Sequence, residues 1–212
     1  MKSVLISIQP KWCELIANGK KTLEVRKSRP KLETPFKCYI YQTKSKKVEH
    51  CDGCDITYYG CGKVIGEFVC DRIYSTILLS TDGGNADLRR QYYLIGENDK
   101  IIWKFWRESC IQPEELAQYI NQGEMCYGWH ISKLKIYDKP KELGEFRKCD
   151  IYCGDCKHIV LPTDRLSLSD CDRRCDKFNK DLLFYDSFNR CEECLELNTI
   201  TRPPQSWCYV EE

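Results

Sequence analysis

Apolar residues recur along the first third of this chain with two different periods, and the switch between them predicts its first elements. Residues 3–8 are a short, mostly apolar run of strand length. Pro10 then opens a stretch in which Trp12, Leu15 and Ile16 stand at i, i+3, i+4 spacing, which predicts a helix over 10–18 with one buried face. Gly19 falls where a left-handed C-terminal cap is expected. Residues 22–26 alternate polar and apolar, so they read as a strand with Thr22, Glu24 and Arg26 on one face and Leu23 and Val25 on the other. Lys21 lies at the turn between helix and strand, where the alternation leaves its direction open.

The pattern continues through a polar loop at 27–35 into a second alternating run. Over 36–43, Phe36, Cys38 and Ile40 face one way and Tyr39, Tyr41 and Thr43 the other. Residues 44–62 are polar and read as an insertion between strands. A longer strand follows over 63–73, with Gly62 and Gly66 placed to allow bends or bulges. After the turn at 81–85, Leu88, Tyr92 and Ile95 predict a helix capped by Asp87 and ended by Gly96. A second helix from Pro113 buries Leu116, Tyr119 and Ile120, and a closing strand runs over 127–137 until Asp138-Lys139-Pro140 breaks it. From Glu145 onward the periodicity fades.

Composition changes this picture in two places. The net charge of +1 conceals an asymmetry: residues 1–50 carry 12 basic side chains against 4 acidic ones, and residues 51–212 carry 21 against 28. A basic first quarter suits an anionic partner such as nucleic acid. No run is long and apolar enough for a bilayer, and the N-terminus reads as a strand rather than a secretion signal, so a cytoplasmic protein with no membrane partner is expected.

The second change is the cysteine count of 16. In a reduced compartment, paired cysteines point to metal thiolates rather than disulfides. Cys153 and Cys156, Cys171 and Cys175, and Cys191 and Cys194 form short-spaced pairs, each able to span one edge of a zinc tetrahedron. A zinc-stabilised tail over 145–212 is therefore expected, because so polar a segment lacks the apolar burial to fold alone. Spacing does not decide which pairs share an ion. The tail is also a candidate docking element for a protein partner, and its excess of acidic residues argues against its being the main nucleic-acid surface. Cys51, Cys54 and Cys61 make a weaker metal group, with His50 or Cys70 as a fourth ligand. Cys13, Cys38 and Cys110 read as core residues.

Gly19, Lys21, Glu24 and Arg26 together satisfy the pattern G-x-K-x-x-E-x-R. This stretch, the helix before it and the strand around 62–68 resemble the ASCH domain of the PUA-like superfamily, over residues 1–144. The resemblance implies an α+β fold: a small PUA-like β-barrel with flanking helices over 1–144, followed here by the cysteine-rich tail of 145–212. It also implies a role with RNA or a modified nucleoside. Some bacterial members release acetate from acetylated cytidine using the motif lysine, a threonine at the position of Glu24 and a later glutamate, and ribonuclease activity is a further reading within the family. Here Glu24 departs from the threonine.

The residues themselves allow three readings. Glu24 and Arg26 can form an ion pair at the barrel rim, worth about 0–1 kcal/mol if exposed. Alternatively, Lys20, Lys21, Glu24 and Arg26 can line a nucleotide pocket, the cations meeting phosphate or a base edge and Glu24 accepting from an amine, with Trp129, Trp12 or Tyr41 stacking the base. Finally, Lys21 and Glu24 can act catalytically, Glu24 as general base and a cation holding the oxyanion, with Thr22 offering a hydroxyl and Glu67 as a candidate second acid.

Overall fold

The computed structural model describes residues 2–51, 54–81, 91–96, 99–120, 124–148 and 199–211. The first apolar run becomes β1 (Lys2–Ile8), and Pro10 occupies the first turn of α1 (Pro10–Ala17). Gly19 has φ +70°, the left-handed conformation that turns the chain out of the helix. There the Lys20 and Lys21 amides both donate to the Leu15 carbonyl before β2 (Leu23–Arg26) begins.

β3 (Phe36–Gln42) lies parallel to β1, and both are buried on two faces. Val4, Ile6, Phe36, Cys38 and Ile40 enter one core with Trp129, while Leu5, Tyr39 and Tyr41 enter another with Phe146, Ile200 and Val210. The alternation expected along 36–43 is thus present, with apolar contacts on each side. The insertion folds as a separate hairpin, β4 (Lys46–Cys51) with β5 (Cys54–Tyr59).

β6 (Val64–Thr81) and β8 (Met125–Lys141) are the long antiparallel spine of the main sheet. β8 continues through Asp138-Lys139-Pro140 because the register jumps between Val64↔Lys141 and Gly66↔Ile136, leaving those residues in a bulge where proline withholds no ladder hydrogen bond. Gly66 is required there: a Cβ would lie 2.5 Å from the Lys135 carbonyl oxygen.

The helix expected to end at Gly96 is not formed over its second half. β7 (Gln91–Ile95) pairs with the far end of β6, and cross-strand pairing of Leu78 with Leu94 and Ile77 with Ile95 overrides the local helical spacing. The helix comes later, as α2 (Asp99–Ser109), followed by α3 (Pro113–Tyr119). Phe105, Ile111, Leu116 and Ile120 pack there against Leu23 and Val25.

The sheet runs β2-β8-β6-β3-β1-β9, with β7 branching from β6. The expected barrel is not closed, because no ladder joins its ends, β2 and β9, among the described residues. A side chain spans the approach instead: Arg26 of β2 donates to the backbone carbonyl of Ser7 in β1 at 2.6 Å. β9 (Trp207–Glu211) pairs antiparallel with β1, so residues from the stretch assigned to the tail add a strand to this sheet. No helix among the described residues is long and apolar enough to cross a membrane.

Candidate functional site: a charged triad on a cavity floor

Lys21, Glu24 and Arg26 converge, and each is at least 94% buried. Leu23 and Val25 are drawn into the helix-packed core, so the strand alternation turns Glu24 and Arg26 the other way. Lys21 joins them because it precedes the strand: its amide is held by Leu15 of α1, and its Nζ donates to the Ser109 carbonyl at the end of α2 at 2.7 Å. The C-terminal end of a helix favours a cation at that point.

Glu24 stands between the two cations. Its Oε1 is 2.9 Å from Arg26 Nη2 and its Oε2 is 3.5 Å from Lys21 Nζ. Burial pushes the Lys21 ammonium below the ordinary lysine value, against the opposing pull of Glu24. Two polar atoms of the triad, Glu24 Oε2 and Arg26 Nε, have no hydrogen-bond partner among the described residues. The pairing expected at an exposed rim is therefore a buried one.

The triad lies in the floor of a cavity of about 660 Å³ that opens to solvent. Trp12 of α1 forms one wall, with Lys21 Nζ 4.9 Å from its ring centroid. Glu115, Gln118 and Tyr119 of α3 form another. Lys11 ties the walls together through Glu49 of β4 at 2.6 Å and Glu115 at 3.6 Å. The Tyr119 hydroxyl is held above its ordinary pKa by burial, with Arg26 and Glu24 nearby. The remaining wall is the C-terminal segment 203–205, pinned where Ser7 Oγ donates to the Pro204 carbonyl at 2.6 Å.

The other predicted site residues lie elsewhere. Lys20 is exposed and does not line the cavity; its carbonyl faces the Cys110 thiol at 3.3 Å. Trp129 is fully buried between the rings of Phe36 and Trp207, so it packs the core rather than stacking on a ligand. Tyr41 is likewise a core residue. Glu67 accepts from the Tyr137 hydroxyl at 2.6 Å, away from the cavity, and the second carboxylate at the cavity is Glu115. Sequence reading missed Glu115, Gln118 and residues 203–205. For Glu115 and Gln118 the available signal was the polar side of the helix after Pro113.

Cys153, Cys156, Cys171, Cys175, Cys191 and Cys194, the residues assigned to zinc, lie outside the described residues. Cys54 and Cys61 are exposed, Cys70 is buried, and no group of three or more His, Cys, Asp or Glu side chains suited to a metal forms among the described residues. Cys13 and Cys38 are buried as expected, while Cys110 is partly exposed.

Residues 6–147 match the ASCH domain. The chain belongs to the ASCH domain family. This PUA-like fold is proposed to bind RNA. The chain is similar to the crystal structure of ASCH from Zymomonas mobilis at 18% identity and TM-score 0.42, covering 66% of this chain and 73% of that one. It is similar to a tyrosine-to-phenylalanine mutant of that protein at 17% identity and TM-score 0.45, covering 68% and 77%. A serine-to-alanine mutant gives 18%, 0.43, 66% and 74%. No curated protein matches the chain. The cavity wall at 203–205 lies outside the residues that match the ASCH domain.

Proposed function

We propose that this cavity receives one base of an RNA or a modified nucleoside, held on the Lys21–Glu24–Arg26 floor. The observation that carries this reading is the convergence of the Glu24 carboxylate with the Lys21 ammonium and the Arg26 guanidinium in the lining of an open cavity. A carboxylate flanked by cations offers an acceptor beside donors, which a ligand edge carrying the complementary groups can meet. Nucleobase edges have that pattern. Trp12 and Tyr119 supply aromatic walls, and the volume lies within the range of small-molecule sites. Calorimetric titration with cytidine, uridine, adenosine, guanosine and N4-acetylcytidine tests it. Binding by wild type that falls about tenfold or more in Lys21→Ala and Glu24→Gln supports the reading. Equal binding by the variants overturns it.

A second reading, hydrolysis of the amide of acetylated cytidine, is favoured by one observation: the Glu24 carboxylate stands between the Lys21 ammonium and the Arg26 guanidinium in the cavity lining. Glu24 can take a proton from water as the water oxygen adds to the acetyl carbonyl carbon, with Lys21 or Arg26 holding the resulting oxyanion. Collapse breaks the C–N bond, the proton passes to the leaving amine, and acetate departs. Chromatographic release of cytidine by wild type and not by Lys21→Ala supports this; no release by wild type overturns it.

A further inference from the structure

Beyond Arg26 the chain leaves the cavity along 27–34 and borders a second groove. This groove is lined by Arg29, Pro30, Lys31, Leu32, Glu33, Thr34, Arg72 and Ile73. Its ionisable lining comprises three cations and one carboxylate. Arg29 and Lys31 are exposed and have no ion-pair partner among the described residues. Arg72 is also exposed and rests against Tyr74, while its neighbour Asp71 is engaged by His130 at 2.6 Å.

Two features join the groove to the cavity. Lys27 Nζ lies 5.2 Å from the ring centroid of Tyr119, a cavity wall residue, which places a cation at the rim. Arg26 on the cavity floor and Arg29 in the groove are three residues apart, so their Cα atoms are separated by at most about 11 Å. The loop is also held in place by β9. Trp207 Nε1 donates to Ser28 Oγ at 3.1 Å, and the Lys31 amide donates to the Tyr209 hydroxyl at 2.7 Å. Anchoring of this kind sets the cations in position before a ligand arrives.

We propose that Arg29, Lys31 and Arg72 bind the phosphates of the strand whose base occupies the cavity, so that the ligand is a single-stranded polynucleotide rather than a free nucleoside. This rests on the nucleoside reading of the cavity and extends it. A basic groove beside an aromatic-walled base pocket is the arrangement that single-strand recognition requires. An uncharged nucleoside spans only the cavity and gains nothing from the groove.

The test uses the full chain, with a mixed-sequence single-stranded RNA of about eight nucleotides, the free nucleosides and a short polyglutamate as probes. Two variants are compared with wild type: Lys21→Ala, and the surface triple Arg29→Gln/Lys31→Gln/Arg72→Gln. Wild type is expected to bind RNA more tightly than any nucleoside. The triple variant is expected to lose about tenfold or more in RNA affinity, and its log Kd against log salt slope is expected to flatten by about 2, with nucleoside binding unchanged. Lys21→Ala is expected to weaken both ligands. RNA binding by the triple variant with wild-type affinity and slope overturns the groove and leaves the cavity reading standing. RNA binding that needs the groove and ignores Lys21→Ala overturns the joining of the two sites. Polyglutamate binding as tight as RNA, lost in the triple variant, assigns the groove to an acidic peptide instead. A wild type that binds neither RNA nor nucleoside overturns both readings.

Discussion

Lys21 Nζ donates to the main-chain carbonyl of Ser109 at 2.7 Å, across 88 residues of sequence. The contact ties the turn between α1 and β2 to the end of α2, and the Thr22 amide strengthens it by donating to the Glu108 carbonyl at 3.0 Å. A buried lysine is thereby fixed on the cavity floor by backbone on one side and by Glu24 on the other.

Glu24 is the only negative member of the triad, so its removal leaves two cations buried without it. Glu24→Ala is expected to lower unfolding stability by about 3–5 kcal/mol. Urea denaturation measures this, and a loss below about 1 kcal/mol would contradict the burial described above.

The depressed Lys21 pKa gives a signed pH effect. In the window between its folded value and the ordinary 10.5, the unfolded chain holds a proton that the folded chain has released, so stability rises with pH on this account. Unfolding free energy of wild type relative to Lys21→Met should therefore increase as pH approaches 10.5 from below. A difference that stays flat, or shrinks, across that window would show that Lys21 is not desolvated.

The buried thiols act in the opposite sense. Burial raises Cys13 and Cys38 and pushes Cys70 up to about 12, each from an ordinary value of 9.0. Their contribution to stability is complete below pH 9 and is lost as pH rises toward the folded values, at about 1.4 kcal/mol per pH unit for each thiol. Peptide mapping after iodoacetamide treatment of native protein should find Cys54 and Cys61 alkylated while Cys13, Cys38 and Cys70 remain protected.

Two tryptophans should separate stability from binding. Trp129→Ala is expected to cost about 3–5 kcal/mol of stability, as for a large side chain removed from a packed core. Trp12→Ala is expected to reduce nucleoside affinity by about 1–3 kcal/mol, the worth of one stacked base. Denaturation and titration of both variants check the division, and loss of ligand binding by a folded Trp129→Phe would reverse it.

The tail cysteines carry a separate expectation. Elemental analysis should find at least one zinc per chain, lost with the pairs Cys153/Cys156, Cys171/Cys175 and Cys191/Cys194. Zinc-free protein whose far-ultraviolet spectrum and protease resistance match those of the metal-loaded form would remove zinc as a stabilising element.

The residues of the site's floor could be read from local pattern, because the constraints on them are local. Helix spacing up to Ile16, a glycine where the chain must turn at positive φ, and the two-residue alternation of Glu24 and Arg26 all act within a few bonds. The same alternation marked both faces of β3. What local pattern could not supply was distance in space. The direction of Lys21 depended on a carbonyl at the end of α2. The walls depended on Glu115, Gln118 and residues 203–205, which reach the cavity only once α3 and β9 have docked. Trp129 has the composition of a stacking residue, and only the packing of Phe36 and Trp207 around it makes it core. The segment over 91–95 carries helical spacing, yet the partner strand β6 offers ladder hydrogen bonds and apolar cross-strand neighbours that outweigh it. The sequence by itself thus determined the chemistry of the triad and the elements next to it. The tertiary structure decided which long-range groups complete the cavity, because burial and hydrogen bonding across the fold are set by docking and not by neighbours in the chain.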